Sequence, residues 1–342
     1  MKKVMVVPGQ GITVASGDIP QPGPGQVLIA PAVSYISAGT ELTGVRRAQQ
    51  APTGGDGHQT GYSQAGTVLE IGPGVDGLAP GDRVAAIGQG AFHATRTVVG
   101  QNLVVPIPEQ VPFAEAAIAA MFCFAVEAVH KSAARLGQNV VVFGAGMMGQ
   151  LAARLYQLSG ARVAVLDGMD FRRKKLPEGV LGLSLDEDGW SELARFVRPY
   201  GVEHACIAFG GDATESLQRM KPLMSRAPDG VPAGRIVFPG GADIQVTMAS
   251  AMGNIELLSS AKAGPGYRDP DYESGNDYPQ VYVGHPVRRN VETMIDLLSS
   301  GQLSLSDLLT HHYAFDDAAQ AYRDLAERPE QVLAAVLTYD QS

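Results

Sequence analysis

Two cysteines in 342 residues, Cys123 and Cys206, are too few for a disulfide framework or a cysteine-rich zinc site. No apolar run approaches the ~20 residues that cross a bilayer. The opening MKKVMVVPGQG is not expected to be a signal peptide, because its short apolar patch breaks at Pro8 and Gly9. Positive charge is in deficit. The 26 Lys and Arg against 35 Asp and Glu leave a formal net charge of −9, which argues against nucleic acid or an anionic membrane as partner. These absences leave the expectation of a reduced, cytoplasmic, soluble protein acting on a small molecule.

Glycine, by contrast, is abundant: 41 residues, about 12% against a usual ~7%. The glycines sit singly between apolar runs, where a chain turns tightly or lets something approach its backbone. The first 110 or so residues read as short strands (Gln26–Val33, Gly66–Ile71, Arg83–Ile87, Leu103–Val105) between Pro/Gly turns, the pattern of a β-barrel-like unit. Pro112–Lys131 is Ala-rich and helical. From Asn139 apolar strands alternate with helices, which predicts a doubly wound parallel sheet. The tail is read as helices at Arg289–Ser299 and Ala318–Glu327 and a last strand at Val332–Thr338.

The strongest motif is VVVFGAGMMGQLAARLYQLSGARVAVLD. Gly144, Gly146 and Gly149 form G-x-G-x-x-G straight after a strand, with Met147 and Met148 opening the helix that would face a pyrophosphate. Asp167 ends the next strand, 23 residues after Gly144, where a carboxylate binds a ribose 2′-hydroxyl and repels the extra phosphate of NADP. This favours NAD. Arg172, with Arg173, Lys174 and Lys175, is either an NADP phosphate site or a solvated basic helix start. A methyltransferase also uses such a loop, but would normally begin its chain with it.

With these parts placed, the chain resembles the medium-chain dehydrogenase/reductase, or alcohol dehydrogenase, superfamily along its whole length. The resemblance rests on Pro24–Ile29, Gly39-Thr40-Glu41, Gly61–Val68, Val75–Val84, Pro106-Ile107-Pro108 and the helix holding Ala116-Ala117. It implies an α/β fold: a GroES-like β-barrel domain over residues 1–120, completed by 264–342, and a Rossmann domain over 121–263. Where zinc members carry ligands, this chain has Ala38, Tyr62 and Ala119, and the four-cysteine structural lobe is missing from 85–94. The resemblance therefore implies a zinc-free member. Ser34–Glu41, Gly61-Tyr62-Ser63 and the stretch from Ala263 to Pro279 look similar to a zinc-lacking subgroup often fused to a glucose-fructose-oxidoreductase-like domain in carbohydrate pathways.

Without a metal to stabilise an alkoxide, a side chain must handle the hydroxyl proton. Tyr62 stands at the place of a histidine ligand. A phenol near pKa 10 needs a cation beside it to ionise, and Lys262 is the candidate, or is itself the acid. Thr40 matches the family's proton-relay hydroxyl, while Thr43 replaces the usual relay histidine. Each also has a structural reading: Tyr62 as filler for the lost metal, Thr40 as a local cap, Lys262 as a surface lysine. Glu41 is expected to orient a neighbour, and His93 lies near the pocket or is structural. Residues 264–286 carry Tyr267, Arg268, Tyr282, further tyrosines and several aspartates. They are read as a loop suited to a polyhydroxylated substrate, or as a dimer contact. Arg288 falls where the family places an arginine on the cofactor phosphates.

The reading is a zinc-independent, NAD(P)-dependent oxidoreductase, NAD-preferring, that interconverts a secondary alcohol and a ketone on a sugar- or cyclitol-like substrate, as a homodimer. Alternatives are a metal-free NADPH reductase of enones or quinones, and a non-catalytic dinucleotide-binding protein.

Overall fold

A computed structural model describes residues 1–340. The chain divides into two compact units, Met1–Cys123 together with the chain from Gly264 onward, and Phe124–Ala263.

The first unit is built on β1 (Gln26–Ile36), eleven residues with a valine or isoleucine at Val27, Ile29, Val33 and Ile36. Strand β1 is central. It pairs antiparallel with β2 (Ser63–Ile71), with Thr97–Gly100 and with Ala335–Thr338 from the chain's other end. Its register on β2 shifts between Pro31 and Val33, as expected where proline withholds an N–H from the ladder. Strands Arg83–Ile87 and Val104–Pro106 extend the sheet on one side and His311–Ala314 on the other. A second sheet joins Lys2–Val7 to Gly11–Ser16 and His58–Gln59.

The longest element that the sequence reading left out is α1 (Ala38–Gln50), AGTELTGVRRAQQ. Two glycines and two threonines make it a poor helix by propensity. Burial supplies the difference. Leu42, Val45 and Ala48 face one way at helical spacing and pack with Val4, Val6, Phe315 and Tyr322, so tertiary packing rather than local preference forms this helix.

In the second unit, strand order is Leu181–Leu183, β4 (Arg162–Leu166), β3 (Asn139–Phe143), His204–Ile207, Pro232–Phe238 and Asn254–Ser259, all parallel. This is the doubly wound order, which places a ligand crevice at the C-terminal ends of the central strands. Val140, Val141 and Val142 are fully buried, because helices cover both faces of a parallel sheet. Helix α2 (Met147–Leu158) follows β3.

Residues 264–286 are largely folded upon themselves. Tyr272 and Tyr278 stack with ring centroids 5.0 Å apart. The Tyr278 hydroxyl donates to Asp269, which also caps the short helix Pro270–Glu273. Asn102 donates to the Tyr272 carbonyl and to Asp277, both at 2.9 Å. Of the groups read as suited to a polyhydroxylated substrate, Asp269, Tyr272, Asp277 and Tyr278 are thus engaged in packing within the unit.

Candidate active site and dinucleotide loop

The chain leaves β1 at Ile36 and enters α1 through Ser37, so Ser37 and Thr40 stand on the helix's first turn. On the way into β2 comes Tyr62, preceded by Gly61 at φ +98°. A Cβ at Gly61 would lie 2.6 Å from the backbone nitrogen of His93, so only glycine permits this approach. The half-buried Tyr62 phenol meets the hydroxyls of Ser37 and Thr40. It also donates weakly to Met121 Sδ at 3.8 Å, while Ser37 Oγ donates to the same sulfur at 3.6 Å. Burial, and behind it the negative charge of Glu41, push the Tyr62 phenol well above the usual tyrosine range; the bonds to Ser37 and Thr40 pull the other way. Tyr62 is thus held as a neutral phenol.

Glu41 is buried and holds four donors. Oε1 accepts the Ser37 N–H at 2.8 Å. Oε2 accepts the Thr60 hydroxyl at 2.7 Å, His93 Nε2 at 3.1 Å and the Tyr322 hydroxyl. Burial alone would raise this carboxyl, but the charge and hydrogen bond of His93, with the bonds from Tyr322 and Ser37, outweigh it and lower the pKa. His93 Nδ1 pairs with Ser34 Oγ at 2.6 Å, and that hydroxyl with the Tyr339 phenol at 2.7 Å. Glu41, read from the sequence as orienting a neighbour, and His93, read as near the pocket or structural, are engaged inside the unit, as a buried charge is tolerated only when paired and hydrogen-bonded.

The other sequence-derived candidates divide. Tyr267 is buried and close enough to Tyr62 to act on it electrostatically, so Thr40, Tyr62 and Tyr267 are brought together. Arg268, exposed at φ +66°, lies over the Tyr267 ring at 5.7 Å. Tyr282 is 85% exposed at a loop tip and no part of this cluster. Lys262 is exposed and belongs to the second unit. Arg288, expected on cofactor phosphates, is an ion-pair partner of Glu292 at 3.0 Å and donates to Asn102 at 3.3 Å. Ser37, Thr60, Met121, Tyr322 and Tyr339 carried no local signal; only the fold brings them here.

In the second unit, Gly144 turns at φ +93°, and Gly146 caps α2 with nothing near its missing side chain except Arg172 Nη1 at 3.9 Å. Met147 is buried and Met148 half-buried at the helix start. This is an open cradle with free N–H groups, which fits a pyrophosphate. Asp167 accepts the Ala145 N–H at 2.6 Å and the Met169 N–H at 2.7 Å, and each of its oxygens keeps a lone pair for a ribose hydroxyl. Gln150 donates to the carbonyls of Ala145 at 3.2 Å and Arg172 at 2.8 Å, and the buried Arg154 donates to the Lys175 carbonyl at 3.0 Å. These bonds tie the basic segment to the glycine loop.

Among the described residues, no three His, Cys, Asp or Glu side chains gather so as to hold a metal ion, and no helix is long and apolar enough to cross a membrane.

No family model matches the chain. It is 28% identical over 354 residues to an L-threonine 3-dehydrogenase of Pyrococcus horikoshii, covering 92% of each chain. Among solved structures, an Escherichia coli alcohol dehydrogenase complexed with NADH aligns at TM-score 0.78 and 18% identity over 99% of both chains. Galactitol-1-phosphate dehydrogenase from Escherichia coli aligns at 0.76 and 19%, over 99% of this chain and all of that one. The fold is the one these dehydrogenase structures have, with a Rossmann-type parallel sheet and a separate sheet domain.

Proposed function

We propose that this chain, an oxidoreductase of the alcohol dehydrogenase type, interconverts a secondary alcohol and a ketone with a nicotinamide cofactor and without zinc. The observation that carries the reading is the Tyr62 phenol, gathered with the Ser37 and Thr40 hydroxyls where related enzymes would need a metal ligand. The likeness to a threonine 3-dehydrogenase over nearly the whole chain supports the oxidoreductase class.

The residues that would hold the cofactor are Gly144, Gly146, Met147, Met148 and Gly149 at the pyrophosphate, with Asp167 at the adenosine ribose. When bound, the nicotinamide exchanges a hydride with the substrate carbon. Tyr62 hydrogen-bonds the substrate oxygen as a neutral phenol; on reduction it gives its proton to that oxygen and is reprotonated from Thr40, and on oxidation it takes the substrate proton as it hands its own to Thr40. Thr40, exposed on the first turn of α1, passes the proton onward. Asp167 favours NAD, with NADP the alternative through Arg172. The substrate is a polar, hydroxylated small molecule of the sugar or cyclitol kind, with Arg268 and Tyr282 as the groups still exposed to meet it. We assign the working form as a cytoplasmic homodimer, consistent with an outer strand, Asn254–Ser259, that pairs on one side only.

The test is absorbance at 340 nm with NAD or NADP and a panel of sugars, cyclitols and hydroxy amino acids, with and without chelator. Turnover that resists chelation and drops at least a hundredfold in Tyr62→Phe supports the reading, general acid–base catalysis contributing about 10²–10⁴-fold. Consumption of NADPH by enones or quinones alone would replace it with the reductase reading. Tight nucleotide binding with no turnover would replace it with a non-catalytic one.

A further inference from the structure

Two segments carry the hydroxyls that meet at Tyr62, and both are moored to one carboxylate. The first turn of α1 is held through the Ser37 N–H, 2.8 Å from Glu41 Oε1. The segment leading to Tyr62 is held through the Thr60 hydroxyl, 2.7 Å from Glu41 Oε2. The place of that carboxylate is in turn set by two residues far away in sequence. Tyr322, from α3 (Ala318–Glu327), donates to Oε2 across 281 positions. His93 approaches the same oxygen at 3.1 Å and is itself fixed on three sides. Its N–H donates to the Thr60 carbonyl at 2.9 Å, Nδ1 pairs with Ser34 at 2.6 Å, and Gly61 leaves the room it occupies.

We propose that Tyr322 and His93 are positioning residues that hold the Tyr62 hydroxyl in register with Ser37 and Thr40 by clamping Glu41 between them. A buried carboxylate brings a fold little net stability even when its partners satisfy it, since desolvation offsets the attraction. A charge buried at such cost, and placed where two functional segments converge, has fixing geometry as its task. The consequence for turnover rests on the reading of Tyr62 as the acid/base; the clamp itself does not.

The test separates the two. With tyrosine labelled at ¹³Cζ, the Tyr62 resonance is identified among the eleven tyrosines by its loss in Tyr62→Phe, and is followed with pH. The titratable groups facing it are Glu41, Tyr35 and Tyr267. In Tyr322→Phe the resonance and its titration move, and in Glu41→Gln titration begins at lower pH because a negative charge has gone. Tyr313→Phe, which removes a similar phenol-to-carboxylate bond at Asp324, leaves the Tyr62 signal in place. In turnover, Tyr322→Phe lowers kcat at least tenfold with less than a twofold change in KM for the nucleotide. Should Tyr322→Phe fail to fold, Thr60→Val removes one donor from the same oxygen and is read in the same way. A Tyr62 signal unmoved in these variants, even with a lowered Tm, overturns the clamp. A moved signal with full activity in Tyr62→Phe upholds the clamp and sinks only the catalytic reading.

Discussion

A Cβ on Gly149 would stand 1.8 Å from the carbonyl oxygen of Gly144. The last glycine of the motif is therefore required by contact between the start of α2 and the turn that precedes it, closer than any side chain allows. Gly149→Ala forces α2 away from the turn and is expected to lower stability by about 1–3 kcal/mol. It should also abolish nucleotide binding, as checked by thermal denaturation and by NADH fluorescence titration. An unchanged affinity would show that the loop does not need this contact.

Asp167 holds the glycine loop by the N–H of Ala145 and its own following turn by the N–H of Met169. In Asp167→Asn the amide NH₂ opposes one of these donors, so the loop loosens and the charge that discriminates against a 2′-phosphate disappears. Binding of NADH is expected to weaken about tenfold, a charge-assisted hydrogen bond being worth ~1.5–3 kcal/mol. The ratio of NADH to NADPH affinities, from paired titrations, should narrow.

Gly61→Ala places a methyl group against His93 and onto a left-handed backbone. Strain of about 1–2 kcal/mol from the backbone alone is expected, with the clash added. Differential scanning calorimetry should show a lower Tm.

Glu41 gives the fold a definite acid limb. Its folded pKa lies below the ordinary glutamate value of 4.5, so the folded state gives up this proton more readily than the unfolded chain. Its contribution is whole above that value and is lost as pH falls through the lower folded one. Urea titrations of wild type and Glu41→Gln should differ most at neutral pH and converge below pH 4.5. A gap that does not narrow would mean the carboxylate is not the source.

Periodicity and punctuation made most of the fold legible. Strands Arg83–Ile87 and Arg162–Leu166 and helix Ala318–Glu327 have the limits that their apolar spacing predicts. The glycine loop with Asp167 was legible for the same reason, since its chemistry lies within one short stretch. Helix α1 was not, because its own residues disfavour a helix and the surfaces it packs on come from both ends of the chain. Tyr272 and Tyr278 misled, because composition cannot tell a tyrosine that faces solvent from one stacked on its neighbour.

The sequence by itself determined the short strands of one unit, the alternation of strand and helix in the other, and the glycine loop with Asp167. These are properties of residue type and short-range order. Tertiary structure alone decided that Tyr62 stands among Ser37, Thr40 and Met121, and that Glu41 and His93 are an internal pair. The physical reason is distance along the chain. Glu41 is met by Thr60, His93 and Tyr322, residues from three separate segments. Whether a carboxylate so placed faces substrate or is buried as a charged anchor depends on donors that only the folded chain brings to it.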